Sequence, residues 1–260
     1  MISRPRWTNT TLLVGGTAIW GLLLISCVTV NRTLVAPPQI AGATFVGTKE
    51  CAECHEKETA KFATATHAKL AFADAKVGPT GCESCHGAGS LHVKAGGGKG
   101  TIINPNKSPE ACFQCHNDKQ GEFALTNSHG VMTGKMTCGD CHDPHAGKMI
   151  RGSAASIEAE NESCTKCHTA QKGPFIFPHN AMKEGCTACH SPHGSVNQKM
   201  LVARDSNLCL RCHMEVSGSK PGTLFAGGED HRSRLNSTTC WGAGCHETVH
   251  GSNSSKPLRF

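Results

Sequence analysis

Seven times in this chain two cysteines separated by two residues are followed at once by a histidine: CAECH at 51–55, CESCH at 82–86, CFQCH at 112–116, CGDCH at 138–142, CTKCH at 164–168, CTACH at 186–190 and CLRCH at 209–213. An eighth, CWGAGCH at 240–246, keeps the order with four residues between the cysteines. Together they use sixteen of the seventeen cysteines and leave Cys27 alone. Whatever this chain folds into must satisfy eight thiol pairs, through a bridge, a metal or a covalently bound group.

Disulfides are the usual account of a cysteine-rich exported chain, but they need no histidine beside the second cysteine. Zinc ribbons also use paired cysteines and make no such demand either. Thioether attachment of haem c does. Two cysteines at this spacing reach the two vinyl groups of one porphyrin, and the adjacent histidine becomes the proximal ligand of its iron. The predicted attachment residues are Cys51, Cys54, Cys82, Cys85, Cys112, Cys115, Cys138, Cys141, Cys164, Cys167, Cys186, Cys189, Cys209, Cys212, Cys240 and Cys245, with eight haem c groups. The predicted proximal ligands are His55, His86, His116, His142, His168, His190, His213 and His246. For the longer-spaced eighth motif a disulfide or a free thiol pair is the competing reading.

Composition agrees that side chains alone do not supply the interior. Only 5% of the 260 residues are aromatic, tyrosine is absent, and 29 glycines and 12 prolines interrupt regular elements. Such a chain has little apolar surface to offset the entropy of ordering its length. The expected fold class is a multihaem cytochrome c with little regular secondary structure, short helices and coil wrapped around an elongated haem stack.

Eight histidines lie outside the motifs: His67, His92, His129, His145, His179, His193, His231 and His250. Along the chain they alternate with the motif histidines without exception, which predicts a second imidazole for each iron. The gaps from motif to spare histidine alternate long and short, dividing the chain into four two-haem units at 51–92, 112–145, 164–193 and 209–250. The short gaps carry a geometric consequence. Trans ligands of one iron need alpha carbons about 12 Å apart, whereas three residues of extended chain span about 11 Å, and Pro192 bends the path. His193 is therefore expected to serve a neighbouring haem, most simply that on Cys164 and Cys167. His145 and His250 are expected to serve neighbours as well. The long-gap histidines could reach either their own haem or the next.

An iron held by two histidines has no vacant position for a substrate, so the expected function is electron transfer and not catalysis. Two other readings remain at this point: an octahaem reductase with one open iron, and a subunit of an extracellular cytochrome filament.

The run ESCTKCHTAQKGPFIFPHNAMKEGCTACHSPHGSVNQKML with NLCLRCH after it, the early CESCHGAGSLH and the terminal CHETVHGSN resemble the MtrA/DmsE family of periplasmic multihaem c-type cytochromes. The likeness covers nearly the whole chain from about residue 48. It implies an octahaem wire on the periplasmic side of the outer membrane. Its partners would be an outer-membrane porin-like barrel, an extracellular multihaem cytochrome and periplasmic electron carriers, together forming a porin-cytochrome conduit for extracellular electron transfer.

Residues 1–30, with Arg4 and Arg6 ahead of the uncharged run Thr11 to Val30, read as an export signal. Leu24 to Cys27 resemble a lipobox, which would make the protein a lipoprotein anchored at Cys27. An uncleaved membrane anchor and plain cleavage are the alternatives. A linker at 31–50 leads into the electron-transfer domain at 51–250, and a tail follows at 251–260. The formal charge of +6 invites a nucleic-acid reading, but two propionates per haem reverse that balance. No nucleic-acid partner is expected. AGGGKG at 95–100 lacks the flanking pattern of a phosphate loop and reads as a turn.

Overall fold

The computed structural model describes residues 38–69, 81–146, 154–216, 224–226, 229–235, 239–242 and 244–259. The export or lipobox segment with Cys27, and the linker up to residue 37, lie outside them.

Among the described residues the helices span at most twelve residues and the strands at most three. In chain order the helices are α1 (Thr48–Ala52), α2 (Glu56–Phe62), α3 (Glu83–His86), α4 (Ser90–Lys94), α5 (Glu110–Phe113), α6 (Asn117–Phe123), α7 (Ala154–Thr165), α8 (Ser206–Leu210) and α9 (Arg232–Leu235). The strands are β1 (Phe177–Pro178), β2 (Glu215–Val216), β3 (Leu224–Ala226), β4 (Glu229–Asp230) and β5 (Gly251–Ser252), with β1 pairing antiparallel to β5, and β3 lying between β2 and β4. Among the described residues coil and short 3-10 turns connect these elements, as the glycine and proline content dictates. The 95–100 stretch is a run of turns in which Gly96, Gly97, Gly98 and Gly100 all take positive φ, a conformation glycine adopts without strain.

Among the described residues the buried apolar side chains are Ala65, Ala88, Ala111, Phe113, Val131 and Leu201. Three of the six are alanine, so the described residues bury little apolar side chain on the usual scale. The best-buried stretch, around 81–90, is organised by a carboxylate. Glu83 is 1% exposed and accepts the backbone amides of Val46 (2.9 Å), Gly47 (2.7 Å) and Gly89 (2.8 Å). A buried polar side chain is tolerated when donors satisfy it in this way. Gln39 Oε1 accepts the Ala88 amide beside it (2.8 Å), and Gln114 donates to the Ser84 carbonyl (2.8 Å) and so joins α5 to α3.

A second device recurs. Asn127 and Ser195 exchange both backbone hydrogen bonds (3.0 and 2.8 Å). Phe177 stands opposite Ser252 in the β1–β5 pair. In each case the first residue lies two before a spare histidine, His129 or His179, and the second lies two after another, His193 or His250. The likeness extends to the rings: His129 Nδ1 donates to the Pro192 carbonyl (2.7 Å) and His179 Nδ1 to the Val249 carbonyl (2.8 Å). Each antiparallel strap thus sets two spare histidines in fixed relation.

Candidate haem-binding sites

Each motif closes into the same turn. The histidine amide donates to the carbonyl of the first cysteine in all eight: His55 to Cys51 (2.9 Å), His86 to Cys82 (3.0 Å), His116 to Cys112 (3.0 Å), His142 to Cys138 (2.9 Å), His168 to Cys164 (3.1 Å), His190 to Cys186 (3.0 Å), His213 to Cys209 (2.9 Å) and His246 to Cys240 (2.9 Å). The last bond spans six residues where the others span four. Within that wider turn the Cys245 amide donates to the Gly242 carbonyl (3.1 Å).

All sixteen histidines fall into eight ring pairs, each made of one motif and one spare histidine. The pairs are His55 with His92, His86 with His145, His116 with His67, His142 with His193, His168 with His129, His190 with His250, His213 with His179 and His246 with His231. Their centroid separations all lie between 5.9 Å (His179 with His213) and 6.5 Å (His231 with His246). The interplanar angles scatter from 7° to 87°. Direct ring contact would tie angle to distance. A metal held between two imidazole nitrogens at about 2.0 Å instead fixes the separation, near 6.3 Å with the ring radii included, and leaves each ring free to rotate about its bond. The fixed spacing and free angle fit an intervening iron.

The tautomers fit too. Nδ1 of His86, His129, His179, His190 and His246 faces a backbone carbonyl at 2.6 to 3.1 Å. A carbonyl only accepts, so these rings carry their proton on Nδ1 and leave the Nε2 lone pair for a ligand bond. Burial holds the His86, His142 and His250 imidazoles below the ordinary histidine pKa and therefore neutral, the ligating form.

The cysteines order the sites. Burial and then the adjacent Cys82 thiol push Cys51 up to about 11. Burial and Cys186 likewise push Cys164 up to about 12, and burial and Cys240 push Cys209 up to about 12. Cys112 and Cys138 share a hydrogen bond that lowers Cys138 to about 7. First cysteines therefore meet within the successive motif pairs. Second cysteines meet between those pairs: burial raises Cys85, Cys141 and Cys189, with Cys115, Cys167 and Cys212 adding their charge in turn. Neighbours in sequence are neighbours in space along the whole series.

No disulfide joins the described cysteines of the motifs. Among the described residues no three His, Cys, Asp or Glu side chains converge as a zinc site requires. The chain brings together imidazole pairs, and the residues present fit haem.

His193 does not face the ring on its own motif. Nor does it face His168 of the Cys164 and Cys167 motif, the simplest expectation; it faces His142 of the Cys138 and Cys141 motif. The reason is the Asn127–Ser195 strap. It sends His129 to His168 and His193 to the preceding motif. His145 and His250 also face motifs other than their own, those of His86 and His190. The long-gap histidines His67, His129, His179 and His231 all turn from their own motif to a later one.

Gly194 holds His193 in place. A Cβ there would collide with the Glu122 carbonyl at the end of α6. Gly194→Ala is expected to cost about 1–3 kcal/mol through overpacking, lowering the melting temperature of the holoprotein by several degrees in a circular-dichroism melt. The residues that sequence reasoning missed here are Glu122 and Glu83. Glu122 Oε2 lies 2.9 Å from His193 Nδ1, and neither carboxylate belongs to a recognisable pattern.

A family model described as the doubled CXXCH motif matches residues 129–173 and 179–218. The Multiheme cytochrome MtrA of Shewanella baltica (strain OS185) is 31% identical over 207 residues, covering 78% of this chain and 57% of its own length. The chain thus spans a little over half of that relative. Doubled attachment motifs, closed motif turns and paired imidazoles agree on covalently bound haem c, and the chain is a multihaem c-type cytochrome similar to MtrA.

Proposed function

We propose that this chain carries electrons through eight haem c groups, each bound by the two cysteines of one motif and held between the two histidines of one ring pair. The observation that carries the reading is the set of eight pairs at nearly constant separation. Bound there, haem supplies a one-electron iron couple without an open coordination position. The cysteines anchor it, the carbonyls on Nδ1 fix the ligating tautomer, and the straps set the spacing. The alternating contacts of first and second cysteines support a single unbranched order of sites, from Cys51 to Cys245. A second imidazole at every motif, including the longer eighth, favours an electron carrier over a reductase.

Likeness to an MtrA protein supports placing the chain, after export, on the periplasmic side of the outer membrane as part of a porin-cytochrome conduit. There it would draw on periplasmic carriers and meet a barrel protein and an extracellular multihaem cytochrome. Lipid attachment at Cys27 fits this placement.

Intact mass and the alkaline pyridine spectrum of the purified protein should give eight haems per chain. The reduced protein should bind no carbon monoxide. A count below eight, or one equivalent of bound carbon monoxide, would overturn the reading, the latter in favour of a reductase.

A further inference from the structure

One axial candidate differs, in what its outer nitrogen touches, from the others whose outer-nitrogen hydrogen bond is described. The Nδ1 partners described for His86, His129, His179, His190 and His246 are backbone carbonyls, and that of His92 is the Thr101 hydroxyl (3.0 Å). His193 Nδ1 instead donates to a carboxylate, Glu122 Oε2, at 2.9 Å. The nearest parallel falls short. Asp143 Oδ1 stands 4.0 Å from His145 Nδ1 and accepts the His145 backbone amide instead, a separation outside hydrogen-bond range.

The Glu122 contact is built from several sides. Lys119 Nζ lies 2.6 Å from Glu122 Oε1, so one oxygen serves the lysine and the other the imidazole. Gly194 packs on the Glu122 backbone, and the Phe123 ring lies 5.2 Å from that of His193. The side chains of His193 and Glu122 are 26% and 34% exposed, so solvent screens the contact only in part.

We propose that Glu122 is a positioning residue that acts through His193 to lower the reduction potential of the site closed by His142 and His193. The inference rests on the bis-imidazole ligation proposed above. A carboxylate drawing on the Nδ1 proton makes Nε2 a stronger donor and favours the more positive iron. Reduction at this site adds one electron, supplied by the neighbouring site, and the Nδ1 proton stays on His193. Because the site is fourth of eight, every electron that travels the chain crosses it.

The test is a potentiometric titration of the full holoprotein, followed optically and by electron paramagnetic resonance. Glu122→Gln keeps the shape and an accepting oxygen and removes the charge. One couple should rise by a factor of about ten in its equilibrium constant, equivalent to about 59 mV for one electron. It should be the couple missing from Cys138→Ala/Cys141→Ala. Asp118→Asn removes a carboxylate from the same lysine, 3.2 Å away, without touching an imidazole, and should leave that couple in place. The proposal fails if Glu122→Gln moves no couple further than Asp118→Asn does. It fails also if Glu122→Gln turns the site high-spin, since Glu122 would then merely hold His193 in place. A wild-type protein with a high-spin site or fewer than eight haems would signal failure of the ligation reading instead.

Discussion

Substituting His193 by alanine should open the iron attached at Cys138 and Cys141 while leaving the one attached at Cys186 and Cys189 saturated. Covalent haem content is set by the cysteines and should not change. The resting spectrum should pass from wholly low-spin to one high-spin centre in eight, and the reduced protein should bind one equivalent of carbon monoxide. Location is read by deleting attachment sites. In the His193→Ala background, Cys138→Ala/Cys141→Ala should remove the high-spin signal, whereas Cys186→Ala/Cys189→Ala should leave it. The opposite result would mean that His193 serves its own motif, contrary to its 6.1 Å pairing with His142.

The second large effect concerns folding. Ordering each backbone residue costs about 1–2 kcal/mol. The described residues bury Phe113, Val131, Leu201 and three alanines against that cost. Chain produced without haem attachment should therefore lack a cooperative thermal or urea transition and exchange its amides rapidly. The attached protein should unfold cooperatively. A sharp transition in the unattached chain would show that the polypeptide holds itself together, and it would weaken the view that eight cofactors supply the interior.

Much of the site was legible because its chemistry is local. A cysteine pair and the next histidine close a turn through their own backbone, as the repeated His to Cys hydrogen bond shows. Alternation of motif and spare histidines pointed to one partner imidazole for each motif, and the ring pairs match motif to spare histidine one for one. The reach of three residues across Pro192 excluded own-motif service for His193. Which neighbour it serves was not legible, because that is decided by the strap between Asn127 and Ser195, 68 residues apart. A clue was present in the repeated His-Gly-Ser of 193–195 and 250–252, which marks two equivalent straps. Glu122 and Glu83 left no trace of this kind. Each matters through a contact with distant chain, His193 for one and the amides of Val46 and Gly47 for the other. Single carboxylates in a polar sequence do not advertise such partners.

The pairing obeys a simple rule with two exceptions. Motifs two, four and six use the spare histidine two places ahead, and motifs three, five and seven the one two places behind. The first and last motifs close on spare histidines of their own stretch, His92 and His231. These terminal closures act like bookends on a shelf. A repeat inserted between them must bring one forward-reaching and one backward-reaching histidine, or an imidazole is stranded. Chains built to this plan should therefore grow and shrink two irons at a time, and evolution can set the distance spanned only in steps of that size.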